Sequence, residues 1–128
     1  MKRIAISVLI TLISGCSSYH NINKDGSNSL GGGFSDKEIH EGLYYIVSKT
    51  NFAPWSNHSA AYKTFNRRAA ELCNSKAYKA IEISESEYEH IQTAGAAKYI
   101  ISQVTGYIIC KPEVLSEAEA LIYIQENL

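Results

Sequence analysis

The chain carries three cysteines, Cys16, Cys73 and Cys110, and four histidines, His20, His40, His58 and His90. Thiolates and imidazoles suit nucleophilic, proton-transfer and metal chemistry near neutral pH. Their spacing narrows the choice. No Cys or His pair stands at the short intervals of a structural zinc site, so no metal is expected. The patterns G-x-x-x-x-G-K-[ST], H-E-x-x-H and G-x-S-x-G do not occur. Ser56, His58 and Ser59 are near neighbours in sequence. A nucleophile and its base must also converge in space beside an orienting group, so no catalytic residue is assigned. Arg67 and Arg68 stand four and three residues from Glu71, the spacing of ion pairs along a helix rather than of a phosphate clamp. Glu82, Glu85, Glu87 and Glu89 form an acidic stretch without the calcium-loop pattern, which reads as a solvated strand and loop. No cofactor is expected.

Cys16 has a different setting. The first residues read MKRIAISVLITLISGC. Lys2 and Arg3 precede an apolar run from Ile4 to Ile13. That run falls short of the about 20 residues needed to span a bilayer, but it matches the core of a cleavable export signal. It closes on Ile13-Ser14-Gly15-Cys16. The tetrad resembles the bacterial lipobox: a branched apolar residue, two small residues, then Cys. The resemblance implies that the Cys16 thiol takes a diacylglyceryl group and that residues 1–15 are removed. Each buried CH₂ of an acyl chain contributes about 0.8 kcal/mol, and two or three chains give stable anchoring. Ser17 follows the Cys where Asp is the usual inner-membrane retention signal. This resembles the Gram-negative outer-membrane sorting pattern, which implies a place on the periplasmic side of that membrane.

Residues 16–33 are rich in Ser, Asn and Gly and read as a flexible tether. Residues 34–128 remain for one domain, enough for a modest core. Apolar content of 45% and charged content of 20% favour a globular domain over disorder. A formal net charge of −1 gives no electrostatic footprint for nucleic acid. Nine tyrosines suit half-buried strands and interfaces.

With Cys16 acylated, Cys73 and Cys110 are left as an even pair in an oxidising compartment. A disulfide between them is the economical reading. Two buried free thiols are the alternative.

The elements that must position these groups follow from periodicity. Leu43 to Lys49, LYYIVSK, is β-branched and aromatic and predicts a strand. Ser56 to Cys73 predicts a helix, with Ser56 as N-cap and Trp55 packed over the first turn. Tyr62, Phe65, Ala69 and Leu72 form its apolar stripe, and Asn74 supplies the stop. Tyr78 to Ser84 predicts a second strand, residues 85–97 a polar loop or hairpin tip, and Lys98 to Lys111 one long strand or two short ones. Gly106 marks a bulge or bend in that last stretch. After Pro112, Ser116 and Glu119 form a capping box opening a C-terminal helix. The order β-α-β-β-α predicts an α+β fold, a small antiparallel sheet with one helix on a face and a helix at the C-terminus.

Three segments together carry a further resemblance. Gly32-Gly33-Phe34-Ser35-Asp36 opens the domain, Arg68-Ala69-Ala70-Glu71-Leu72 ends the helix, and Gly106-Tyr107 precedes Cys110. The set resembles a family of small Gram-negative lipoproteins over roughly residues 31–111. Phe34, Thr50-Asn51 and Ala77 depart from that family's usual Tyr, Gly-Asn and Gly. The resemblance implies address and fold, and no catalytic residue comes with it. On its own residues, Gly32 to Asp36 reads as the entry turn into the domain, with an anion- or ligand-binding loop as the alternative.

The expectation is a non-catalytic envelope module, lipid-anchored at Cys16, facing a protein or cell-wall partner. The alternatives are a small hydrolase-type envelope enzyme and a redox or stress sensor using Cys73 and Cys110.

Overall fold

The computed structural model describes residues 19–26, 30–90 and 99–128. The expected signal over residues 1–15 and the acylation site Cys16 lie outside these, as does the expected hairpin tip beyond His90. The elements run α1 (Ile22–Asp25), β1 (Gly33–His40), β2 (Leu43–Lys49), α2 (His58–Cys73), β3 (Lys79–His90), β4 (Tyr99–Ile109) and α3 (Glu117–Asn127). The architecture is α+β, as expected.

Among the described residues, four strands form one antiparallel sheet in the order β1-β2-β4-β3. The central strands are the two with the most continuous apolar character, since both of their faces are covered in part. Ile46, Val104 and Ile108 point to one side and meet Ala61, Phe65 and Ala69 of α2. Leu43, Ile81 and Ile109 point to the other side and meet Ala120 of α3. α2 and α3 therefore lie on opposite faces of the sheet.

Local chemistry explains the helix limits. Asn57, not Ser56, caps α2, and its side chain accepts from the Ala60 amide at 3.2 Å. The Ser56 hydroxyl turns to Glu87 instead. Trp55 does not cover the first turn and stands 64% exposed. Asn74 ends α2 in the left-handed region at φ 50°, a conformation Asn tolerates better than most residues. The capping box of α3 forms as expected, with Ser116 Oγ accepting from the Glu119 amide and Glu119 accepting from the Ser116 amide.

Three departures from the expected layout have physical causes. The segment read as an entry turn is the start of β1. Only Phe34 of that strand is a deeply buried apolar residue, so the alternating signal is faint. β3 continues through the glutamates to His90, because an edge strand can hold solvated side chains. The irregularity flagged by Gly106 lies across the ladder in β3, between Ile81 and Ser84. A Cβ on Gly106 would sit 3.2 Å from Phe65 Cζ and 3.2 Å from Ile83 Cγ1. The missing side chain lets the tip of the Phe65 ring reach the sheet where β3 bulges.

Buried polar groups fasten α2 to the sheet. Ser48 Oγ donates to the Ala61 carbonyl at 2.8 Å. Ser102 Oγ accepts from the Asn57 amide at 2.7 Å, and Thr50 Oγ1 accepts from the Ser102 amide at 3.0 Å. Among the described residues, no buried side-chain N or O atom lacks a partner.

Candidate functional site

Part of the expected tether is built into the fold. Asn21 pairs with Phe34 as an isolated bridge, and the Phe34 amide donates to the His20 carbonyl at 2.8 Å. Asn21 also caps the single turn of α1. The Tyr19 ring centroid lies 4.6 Å from that of Phe34, and the Arg67 guanidinium stands over the Tyr19 ring, 3.6 Å from its centroid. The Tyr19 hydroxyl donates to Glu71. Ser/Asn/Gly composition concealed this docking, while the aromatic Tyr19 and the capping Asn21 were its sequence signals.

The same corner joins two of the three motifs behind the family resemblance. Arg68 Nε donates to Asp36 Oδ2 at 2.8 Å and Nη2 donates to Oδ1 at 3.3 Å. The side chains are 21% and 14% exposed, and Arg68 also lies 4.9 Å over the Phe34 ring. Burial alone would lower the Arg68 pKa, but the Asp36 hydrogen bond and charge raise it. Arg67 and Arg68 both reach Glu71 at helical spacing, as expected. Glu71 is held below the ordinary carboxylate range, first by the Tyr19 hydrogen bond and then by the two arginines. Burial, then the Glu71 hydrogen bond, pushes the Tyr19 phenol up to about 12. Burial, then Glu38 and Asp36, also raises Tyr44. This arrangement is a closed set of charges that locks the N-terminal segment and β1 onto α2.

Cys73 and Cys110 form a disulfide, with Cα atoms 5.0 Å apart. It ties the end of α2 to the end of β4. A cleft of about 320 Å³ beside Cys110 is lined by His40, Glu41, Lys111, Val114 and Leu115.

Ser56 and His58 do not converge as nucleophile and base. The Ser56 hydroxyl meets Glu87, and His58 Nε2 donates to the Ser86 carbonyl at 3.1 Å. His20 Nε2 donates to the Gly26 carbonyl, and His40 packs edge-on to Tyr123 at 4.8 Å. Glu85 of the acidic stretch accepts from the Tyr62 hydroxyl at 2.7 Å. Among the described residues, no helix is long and apolar enough to cross a membrane.

On the sheet face opposite α2, Tyr107 packs against the cluster that holds Ala120 of α3, and polar groups continue along the sheet from there. Tyr45 and Tyr107 are partners in the β2–β4 register, and their rings are 4.8 Å apart. Beside them, Thr105 and Gln103 line β4, and Gln103 Nε2 donates to Ser86 Oγ at 3.4 Å. Lys49 lies 5.6 Å over the Tyr88 ring. The result is a half-buried patch of phenol, hydroxyl and amide groups, with Tyr88 exposed at its edge. The pattern was legible only as an excess of tyrosine, because its assembly needs the register of three strands.

No family model matches the chain, and neither the curated proteins nor the solved structures include a match.

Proposed function

We propose that the chain is a non-catalytic binding module of the Gram-negative envelope, held by acyl chains on Cys16 at the periplasmic side of the outer membrane. The observation that carries this reading is Ile13-Ser14-Gly15-Cys16 behind a short apolar run and a basic start. The tyrosine-rich patch on the sheet face opposite α2 supports the binding role. Tyrosine brings a large rigid surface at small entropic cost together with a hydroxyl, which suits recognition of a protein or cell-wall partner.

Two measurements test the reading. Palmitate labelling in cells should mark the wild-type chain and not Cys16→Ala; labelling of that variant contradicts the anchor. A photo-crosslinking residue at Thr105 should give a discrete adduct in intact cells, and the same residue at Lys63 on α2 should not give that adduct. Identical adducts from both positions contradict a partner on the sheet face.

A further inference from the structure

We propose that the outer side of α2, centred on Arg67 with Lys63 and the nearby Lys76, is the surface that lies against anionic phospholipid headgroups. The proposal rests on the acylation of Cys16 and adds an orientation to it.

The first argument is reach. Three peptide steps separate Cys16 from Tyr19, and three residues span at most about 11 Å in any conformation. Tyr19 is fixed: its ring lies on Phe34 and under Arg67, and its hydroxyl bonds Glu71. The acylated sulfur therefore stays close to the Arg67 corner of α2. A long tether would leave the orientation unbiased, whereas a link of three residues keeps the anchor point within reach of this corner.

The second argument is charge. Lys63, Asn66, Arg67, Ala70 and Asn74 recur at spacings of three and four, so they share one side of the helix. Lys63, Asn66, Arg67 and Asn74 are exposed there, as is Lys76 just beyond. A shallow groove of about 710 Å³ on this side is lined by Asn66, Arg67, Asn74, Lys76 and Tyr78 together with Glu71. Among the described residues lining it, Glu71 is the one carboxylate, and it already serves Tyr19, Arg67 and Arg68. Glu85 and Glu87 border this side near the start of α2, where the hydroxyls of Tyr62 and Ser56 already engage them. A basic side beside a lipid anchor is attracted to an anionic leaflet within a Debye length of its surface. The acyl chains supply the affinity, and the basic side selects which way the domain faces. The tyrosine-lined sheet face, on the other side of the sheet, is then turned toward the periplasm.

The test uses the full acylated chain in vesicles of phosphatidylethanolamine and phosphatidylglycerol doped with a headgroup-nitroxide lipid. Trp55 is the single tryptophan, so Trp55→Phe provides a silent background. In it, Asn66→Trp reports the outer side of α2 and Ser86→Trp reports the opposite sheet face. Reporters are compared only after their unfolding midpoints match that of the background. The Asn66→Trp reporter should be quenched several-fold more than the Ser86→Trp reporter. Adding Lys63→Glu and Lys76→Glu, which leave Arg67 on Tyr19, should bring the two toward equality. Equal quenching on acylated protein, or stronger quenching of the Ser86→Trp reporter, overturns the orientation alone. A product whose mass shows no acyl group on Cys16 overturns the anchor and the orientation together.

Discussion

The guanidinium of Arg68 straddles the carboxylate of Asp36 across 32 positions of sequence, with two hydrogen bonds of 2.8 and 3.3 Å. This pair holds an edge strand to the helix above it. Both side chains are mostly buried, so removing one leaves the other's charge poorly solvated. Arg68→Ala should lower stability by about 2 kcal/mol in urea titrations, and Asp36→Asn by a similar amount. The double variant should cost less than the sum, since the unpaired charge is gone. Strict additivity in that cycle contradicts the coupling.

Gly106 is a packing prediction. A methyl group there meets Phe65 and the bulged segment of β3 at distances tighter than ordinary contact. Gly106→Ala should lower stability by about 1–3 kcal/mol, the usual cost of overpacking. Gly106→Ala combined with Phe65→Leu should recover part of that loss over Phe65→Leu alone. A neutral Gly106→Ala in thermal melts would show that the ring does not rest there.

The disulfide closes a loop with a sequence separation of 37. On the chain-entropy model this stabilises by about 3–4 kcal/mol. Replacing both Cys73 and Cys110 by Ala should lower the unfolding free energy by about that amount. Alkylation of the folded oxidised domain should label neither residue. Two alkylated thiols in native protein would contradict the bridge.

Docking of Tyr19 should depend on pH at both ends. Glu71 is depressed below its ordinary value of 4.5, so its contribution is complete above that value and is lost as pH falls through the depressed one. Tyr19 is raised from 10.0 to about 12, so its contribution is complete below pH 10.0 and is lost as pH rises toward about 12. Glu71 is well exposed, and solvent screening keeps the effect to at most about 1 kcal/mol. Wild type should exceed Tyr19→Phe in urea midpoint at pH 7, and the gap should close under acid conditions. A gap that persists below the titration of Glu71 would contradict the hydrogen bond's role.

Legibility from the sequence followed the range of the interactions. The limits of β2, the stop at Asn74 and the capping box at Ser116 rest on neighbours within a turn or a strand, and the pattern showed them. The cysteine pair was legible from number, once Cys16 was set apart by the expected export signal. β1 was not, because one of its faces is anchored by Phe34 and Asp36 through partners on α2, and GFSDKEIH carries little apolar alternation. The docking of Tyr19 was hidden in a polar segment for the same reason. The opening Gly-Gly-Phe-Ser-Asp and the helical Arg-Ala-Ala-Glu-Leu belong together because Asp36 and Arg68 touch, a relationship that spacing alone does not reveal. The phenolic patch needed the register of β2, β4 and β3 before Tyr45, Tyr107, Gln103 and Ser86 shared a surface.

The most direct test of the anchor is the intact mass of the exported protein extracted from membranes. The expected product lacks residues 1–15 and carries diacylglyceryl on Cys16, with or without a further acyl group on its new amino terminus. A product that retains residues 1–15, or that has a free Cys16 thiol, contradicts it.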